Sequence, residues 1–391
     1  MNNSDEKSDG KGAIPGSANE LGLSPLRSVH TESFAKLLDA YGASIAVTTY
    51  QAGKLVFLRP ELSASKAVVN THFRNFRKPM GFAWETGRFA IGTQSEIWEF
   101  HDIPAVAAKL EQPEGGMQSD AAFLPRSCHV TGDVDIHEIL WVPPAKATGT
   151  MTVSELSFVN TRFSCISSRS YVHSFLPRWK PRFISQLAPE DRCHLNGMAM
   201  RDNQLRYVTA LGEADTPSGW RQNKKSGGIV IDTQSAEVIA RGLSMPHSPR
   251  WHDEKLWLLE SGNGGLGVLD VQNGRYEELC RLPGFTRGLD FLGPYALIGL
   301  SQVRESATFS GIKVAEMLQS ERYCGVWVVD TRSGSIFGFV KFTDAVQEIF
   351  AVQALNGIRW PEVLNENNKL ISETYELPDE ALIQVPHRFR H

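Results

Sequence analysis

The stretch GVWVVDTRSG at residues 325–334 recurs in similar form as GIVIDTQSA at 228–236 and as GVLDVQNG at 267–274. In each copy an apolar run rich in β-branched residues ends in an aspartate, and a polar turn follows whose side chains can hydrogen-bond the local backbone. A second strand-like run comes next, as at 335–342. The repeat therefore predicts two antiparallel strands joined by a tight turn.

A second hairpin pattern precedes each copy, at 195–211, 248–260 and 286–300. Each unit thus has four antiparallel strands at a period of roughly 40 to 60 residues, which is typical of propeller blades. Counted along the chain, the predicted inner strands lie near Met80, Val130, Leu195, Ser248, Thr286 and Gln347. The alternative interpretations are a pair of β-sandwiches and a β-rich protein of two domains.

The strand patterns at 44–50, 55–58 and 67–72 have no inner strand of their own before them. We expect them to complete the last blade, which 348–354 begins, so that the two ends of the chain pair and close the ring. Closure removes exposed sheet edges. The predicted fold is an all-β, six-bladed β-propeller with ring closure between N- and C-terminal strands; short helices are expected at 32–40, 105–110 and 312–320.

Composition places the chain among ordinary globular proteins, with 391 residues, 41% apolar content and a net charge of −4. A pI near 6.3 gives no basic footprint, so nucleic acid is not an expected partner. We predict a disordered N-terminal tail at 1–30, a propeller domain at 31–375 and a C-terminal tail at 376–391. Residues 1–20 lack the apolar core of a signal peptide or membrane helix, so neither export nor a membrane partner is expected.

The five cysteines are an odd number without C-x-x-C spacing, and reduced thiols in the cytoplasm fit this pattern best. They are Cys128, Cys165, Cys193, Cys280 and Cys324.

Three histidines, His129, His194 and His247, precede the predicted inner strands of three adjacent blades. The residue that enters an inner strand faces the channel mouth, so three such imidazoles would converge on one side of the axis and leave the other side open. An open three-histidine set is typical of a catalytic metal site. We expect one transition metal, zinc first, with iron or copper also compatible with imidazole ligands.

Two other interpretations of these histidines stay open. Each imidazole could simply hydrogen-bond backbone at its strand entrance. Alternatively, Cys128 and Cys193, which directly precede two of the histidines, could join a mixed site. Strand alternation points neighbouring side chains to opposite faces, which favours buried cysteines over ligands.

Other candidate site residues follow when the predicted strand entrances of the blades are aligned. This alignment also places Lys78 and Phe285 at strand entrances. Arg287 lies two positions after Phe285, and its guanidinium could hold a carboxylate or stabilise an oxyanion. Glu348, at the start of the sixth inner strand, is the candidate general base. Asp133 and Asp135 are candidate partners for a metal-bound histidine. For Arg287 and the acidic residues, a structural ion pair is the alternative.

Long loops are predicted at 143–151, 212–226 and 302–323. In a four-stranded blade, the connection between the second and third strands emerges on the same face as the entrance to the first. We expect these loops to surround the mouth that holds the histidines. Their mix of charges and one aromatic residue fits a lid over a polar substrate, and solvated surface loops are the alternative.

The sequence HLNGMA at 194–199 is similar to the Asn-Gly-Met/Leu-Ala element of gluconolactonase-like and NHL-type six-bladed propellers. The chain also resembles a bacterial family known chiefly as a conserved domain of unknown function, through SIAVTTYQAGKL at 44–55, RNFRKPMG at 74–81, CHLNGMA at 193–199 and MPHSPRW at 245–251. The likeness spans residues 42–362 and implies the propeller fold without an activity. The three-histidine logic, but no shared motif, is similar to that of peptide-amidating lyase propellers, which implies zinc.

Two functions are therefore predicted. The first is a metal-dependent enzyme, a lyase or hydrolase with zinc or an oxygen-using enzyme with iron or copper, that acts on a polar small molecule or a peptide. The second is a propeller without catalytic activity that presents its mouth to a protein or peptide partner.

Overall fold

The computed structural model describes residues 26–63, 65–111, 117–144, 154–303 and 309–390, and their strands form six sheets. The six inner strands contact one another in a closed ring, so the predicted six-bladed β-propeller is confirmed. No helix within these residues is both long enough and apolar enough to span a membrane.

Each blade has an inner strand at the channel and three strands outside it. The strands, in chain order, are β1 (Ser28–His30), β2 (Ala43–Thr49), β3 (Lys54–Leu62), β4 (Ala67–Asn75), β5 (Phe82–Glu85), β6 (Arg88–Gly92), β7 (Glu96–Asp102), β8 (Ala121–Val130), β9 (Ile136–Val142), β10 (Glu155–Asn160), β11 (Cys165–Ser168), β12 (Leu176–Trp179), β13 (Leu195–Arg201), β14 (Gln204–Ala210), β15 (Gly228–Asp232), β16 (Glu237–Leu243), β17 (Pro246–His252), β18 (Lys255–Glu260), β19 (Gly265–Leu269), β20 (Tyr276–Arg281), β21 (Phe285–Leu292), β22 (Tyr295–Ser301), β23 (Cys324–Asp330), β24 (Ser335–Phe342), β25 (Val352–Asn356) and β26 (Pro361–Val363). Blades one to five begin with β5, β9, β13, β17 and β21, and the sixth combines β25 with β2, β3 and β4.

The sixth blade closes the ring, as predicted, because β25 near the C-terminus pairs antiparallel with β2 near the N-terminus. Every residue of β2 is buried. The hydroxyl of Thr48 strengthens the junction: it donates to the Met80 carbonyl at 2.6 Å and accepts from the Ala351 amide at 3.0 Å. One side chain therefore links the closing blade to the first.

The extra strands and helices lie around the ring. β1 extends the fifth blade beside β24, and β26 runs parallel to β8 on the first, so two blade edges are covered. β1 falls inside the segment predicted as an N-terminal tail, whose residues 1–25 lie outside the described part. The helices are α1 (Glu32–Ala40), α2 (Pro104–Ala107), α3 (Lys313–Glu316), α4 (Asn368–Glu373) and α5 (Asp379–Leu382).

α1 matches its predicted bounds and buries Phe34 and Leu38 completely against the fifth and sixth blades. α2 and α3 are shorter than predicted. The predicted C-terminal tail contains α5 and a short 3₁₀ turn, and residue 391 lies outside the described residues.

The inner strand of the second blade does not begin where the sequence predicted. Residues up to Val130 belong to β8, the outer strand of blade one, and the inner strand β9 starts at Ile136. Gly132 and Asp135 between them have φ angles of +75° and +55°, which break an extended run. The predicted strand therefore divides into two strands of different blades.

This division also corrects the predicted position of loop 143–151. The segment follows β9, so it leaves the inner strand at the end opposite to the channel mouth. Residues 145–153 themselves lie outside the described part.

A buried ion pair crosses the channel below the mouth. The Arg250 guanidinium on β17 donates to the Glu138 carboxylate on β9 at 2.5 Å, across the inner strand of the blade between them. Nearby, the Asp290 carboxylate accepts from the Gln353 side chain and the Ala354 amide. These contacts between inner strands give the channel mouth a polar floor.

Candidate functional site at the channel mouth

The channel mouth contains a cavity of about 280 Å³, which we call the cup. Its wall combines imidazoles, two guanidinium groups, carboxylates and aromatic rings. The lining residues are Tyr50, Met80, Asp135, His137, His194, Leu211, Trp220, Arg221, Met245, His247, Phe285, Arg287, Phe309, Glu348 and Phe350.

A repeated backbone feature places these side chains. Lys78, Asp135, His194 and Met245, one at each entrance to blades one to four, have left-handed φ angles between 48° and 55°. Such a conformation is costly for a residue with a side chain and turns the chain sharply into the strand. In blades one, two and four the side chain two positions later then faces the channel.

This register puts the histidines on two levels. His194 is itself the left-handed residue of its blade, whereas His137 and His247 follow theirs by two positions. The equivalent residue in the third blade, Asn196, is turned aside and donates to the Pro246 carbonyl at 3.0 Å. His247 therefore lies one level deeper in the channel than His194, although the sequence pattern predicted the same position for both.

His129 does not belong to this site. It lies on β8, the outer strand of blade one, and its Nε2 atom hydrogen-bonds the Ser174 carbonyl at 2.8 Å. The predicted inner-strand position was wrong because the turn at 131–135 separates His129 from the strand that enters the channel. His137, eight residues later on β9, supplies the third imidazole of the cup.

Both deeper histidines have a fixed tautomer. His247 Nδ1 lies 2.9 Å from the Met245 carbonyl and 3.1 Å from the Ser261 hydroxyl. His137 Nδ1 lies 3.0 Å from the Asp135 carbonyl and 2.8 Å from the hydroxyl of Thr161. A carbonyl oxygen only accepts, so each Nδ1 carries the proton and each Nε2 keeps its lone pair.

His194 is held by a carboxylate. Its Nδ1 lies 3.0 Å from both oxygens of Asp191, which also accepts a 2.9 Å hydrogen bond from the Trp220 indole. Trp220 is 2% exposed, and its ring lies 4.5 Å from the imidazole between ring centres. The pair of His194 and Asp191 is therefore braced by an aromatic wall, and Nδ1 of His194 is committed to the carboxylate.

The deeper imidazoles are uncharged at neutral pH. Burial, followed by the positive charge of Arg287, holds the pKa of His137 and of His247 well below the usual value for histidine. His137 is 7% exposed and His247 is 3% exposed. The protein thus presents two neutral acceptors at the base of the cup.

Arg287 supplies a fixed positive charge in the cup. Its guanidinium carbon lies 3.6 Å from the ring centre of Phe350. Burial lowers its pKa to about 10, so it stays protonated at neutral pH. Within the described part of the chain, nothing hydrogen-bonds or ion-pairs with this guanidinium. Arg287 lines the cup, at the channel mouth where the sequence predicted it.

Two carboxylates complete the wall. Asp135 faces Lys78, with 3.8 Å between Oδ1 and Nζ. Glu348 reaches the cup from the segment that leads into β25, close to its predicted place. Asp133 pairs instead with Arg162 at the surface, 3.1 Å away.

The cysteines lie apart from the cup. All five are free thiols, and burial raises the pKa of Cys193 to about 12. Cys193 packs in the core beside β13, as predicted, but Cys128 is exposed. Across the described ranges no three or more His, Cys, Asp or Glu side chains are arranged to hold a metal ion.

Two of the predicted long loops do rise around the cup. Residues 212–226 bring Trp220 to the wall. The described residues 309–323 of the second loop bring Phe309, which packs on Phe285 at 5.2 Å between ring centres. Gly212 permits the first loop to fold back, because a Cβ atom there would lie 2.9 Å from the Trp220 backbone. Arg304 and Glu305, which the sequence places in the second loop, lie outside the described residues.

Residues 32–364 of the chain match a family described as a domain of unknown function, DUF4915. The chain belongs to the DUF4915 family. The resemblance inferred from 42–362 is thereby confirmed, and it brings no activity. No curated protein matches the sequence of this DUF4915 protein.

Solved structures with similar folds are distant from the DUF4915 protein. A chain of a nidogen/laminin complex is 8% identical, with 81% of this chain and 99% of that chain covered and a TM-score of 0.47. A protein of unknown function from Bacteroides caccae is 8% identical, with 80% and 98% covered and a TM-score of 0.48. At this distance neither says anything about function.

We expect the free energy of unfolding of the DUF4915 protein to fall as pH drops below about 6.5, the ordinary pKa of histidine. The unfolded chain binds protons there that the buried His137 and His247 do not, so each contributes about 1.4 kcal/mol per pH unit until its folded pKa is reached. Urea denaturation at a series of pH values measures the decline. It should be shallower in a double variant, His137→Gln with His247→Gln, and unchanged in His129→Gln. If the free energy of unfolding declined equally in the wild type, the double variant and His129→Gln, the imidazoles of His137 and His247 would not be buried neutral groups.

Proposed function

We propose that the cup is an active site in which His194, oriented by Asp191, acts as a general base on a small polar molecule. The observation that carries the proposal is the bond from His194 Nδ1 to both oxygens of Asp191 at 3.0 Å, at the edge of a cavity. A carboxylate in this place holds the imidazole in one tautomer and stabilises the imidazolium that forms when Nε2 takes a proton.

The surroundings support this role. His137 stands edge-on to His194, with 4.8 Å between ring centres, and burial keeps it neutral. Because His137 is neutral, it does not destabilise the imidazolium form of His194 by charge repulsion. Its Nε2 lone pair can accept a hydrogen bond from the reacting molecule. Trp220 and Phe350 line the same space with aromatic rings.

The reaction class that suits these groups is hydrolysis or elimination. His194 Nε2 would remove a proton from water or from the substrate and return it to the leaving group. Glu348, on the cup wall, is the candidate for a second proton carrier. Arg287 does not take part in proton transfer, because its pKa of about 10 keeps it charged at neutral pH.

A transition metal centre is the second candidate, with His137 in place of His129. The observation in its favour is that His137, His194 and His247 each commit Nδ1 to an acceptor, which leaves three Nε2 atoms free around one cavity. Metal-bound histidines typically show this pattern. The side chains as they stand do not fit a metal, because no three ligands among the described residues converge. We therefore rank this candidate below the general base.

The first test of the base is the variant Asp191→Asn. An amide cannot stabilise the imidazolium, so the turnover number should fall by roughly 100-fold or more. The measurement is the initial rate on a panel of small esters, lactones and amides, followed by proton release. Asp133→Asn, whose carboxylate pairs with Arg162 at the surface, is the matched control and should keep the wild-type rate. A rate unchanged in Asp191→Asn would overturn the proposal, and no turnover at all would favour a site that only binds a protein or peptide partner.

Metal content separates the two candidates. Protein purified without a polyhistidine tag should contain no stoichiometric zinc, iron or copper by mass spectrometry, and chelation should leave its activity unchanged. About one metal per chain, retained in His129→Ala and lost in His137→Ala, would instead establish the metal centre.

A further inference from the structure

The charge of Arg287 has no partner among the described residues. Its guanidinium is stacked on Phe350 and lines the cup, and neither Asp135 nor Glu348 forms an ion pair with it, although both raise its pKa through space. Stacking engages the face of the guanidinium and leaves its N–H edge free. Such an edge matches a carboxylate, which accepts two parallel hydrogen bonds from it.

The charges around Arg287 favour a monoanion. The carboxylate of Glu348 shares the cup, whereas that of Asp135 is offset by Lys78 at 3.8 Å. A dianionic phosphate would meet repulsion from Glu348. A carboxylate carries half that charge and therefore suits the site better.

The rest of the cup favours an apolar group beside the carboxylate. Phe285, Phe309, Met245 and Leu211 form one side of the wall and belong to a single apolar cluster. In the same cup, the Nε2 lone pairs of the neutral His137 and His247 accept hydrogen bonds but cannot donate them. The ligand should therefore bring an N–H or O–H donor of its own.

A second cavity of about 430 Å³, which we call the vestibule, adjoins the cup. It shares Asp135 and Arg221 with the cup and is otherwise lined by polar or charged residues and one proline: Arg162, Pro189, Glu190, Asp191 and Ser218. Mixed donors and acceptors suit an amide backbone better than an apolar chain.

From these features we infer that the ligand is an N-acylated apolar amino acid with a free carboxylate. The carboxylate lies on Arg287, the side chain packs against Phe285 and Phe309, the amide N–H donates to an imidazole Nε2, and the acyl extension leaves through the vestibule. This inference deepens the proposed function, since it uses the same cup. A free acylated amino acid and the C-terminus of a peptide share this chemistry.

Calorimetric binding without turnover tests the inference. The probes are N-acetylphenylalanine, its carboxamide and glycylglycylphenylalanine. The wild-type protein should bind the acetylated acid at least about tenfold more tightly than the carboxamide, since only the acid offers a charged acceptor. Equal affinity for the acid and the tripeptide would indicate a free acylated amino acid, and a tighter tripeptide would indicate a peptide terminus.

Three variants locate the effect. Arg287→Gln should abolish the preference for the acid, whereas Arg182→Gln, at an exposed arginine paired with Glu237, should keep it. Arg287→Lys retains the charge without the paired donors and serves if the glutamine variant does not fold; it should weaken the preference. Equal binding of acid and carboxamide by the wild type, no binding at millimolar concentration, or a full preference in the Arg287 variants would overturn the inference. A protein that prefers the acid but shows no base-dependent turnover would refute only the proposed function.

Discussion

The antiparallel pairing of β2 with β25 is the interaction on which the rest of the structure depends. It joins residues 43–47 to residues 352–356 and so turns a row of five complete sheets into a ring. Without it the sixth blade would lose its inner strand, and the segment that carries Glu348 and Phe350 would not reach the channel. Thr48 makes the junction specific, because its single hydroxyl satisfies one backbone group from the first blade and one from the segment before β25.

The closed ring brings side chains from distant parts of the sequence to one cup, and their hydrogen bonds determine its chemistry. Each of the three imidazoles has Nδ1 engaged by an oxygen, and burial with Arg287 nearby keeps the two deeper ones neutral. The partner of His194 Nδ1 is the carboxylate of Asp191. The ion pair between Glu138 and Arg250 forms a floor below them.

Much of this arrangement could be predicted from the sequence, because a propeller repeats its pattern. The apolar runs that end in Asp232, Asp270 and Asp330 predicted the blades, and register alone brought His194, His247, Arg287 and Glu348 to the right mouth. His137 was missed because residues 130–142 were interpreted as a single strand. The pair Gly132-Asp133 is the signal that could have divided it, since glycine followed by aspartate commonly marks a turn. The oxygens that hold each Nδ1, and Trp220 from a loop without periodicity, depend on tertiary contacts that no local pattern encodes.

The state of the three imidazoles is the most direct test of the account. Nitrogen-15 NMR of the histidine side chains, assigned through single His→Gln variants, reports which ring nitrogen carries the proton. We expect a proton on Nδ1 in His137, His194 and His247 at neutral pH, and a bare Nε2 in His137 and His247 that persists in moderate acid. A neutral tautomer with its proton on Nε2 in any of the three, or a charged imidazole in His137 or His247, would contradict this expectation.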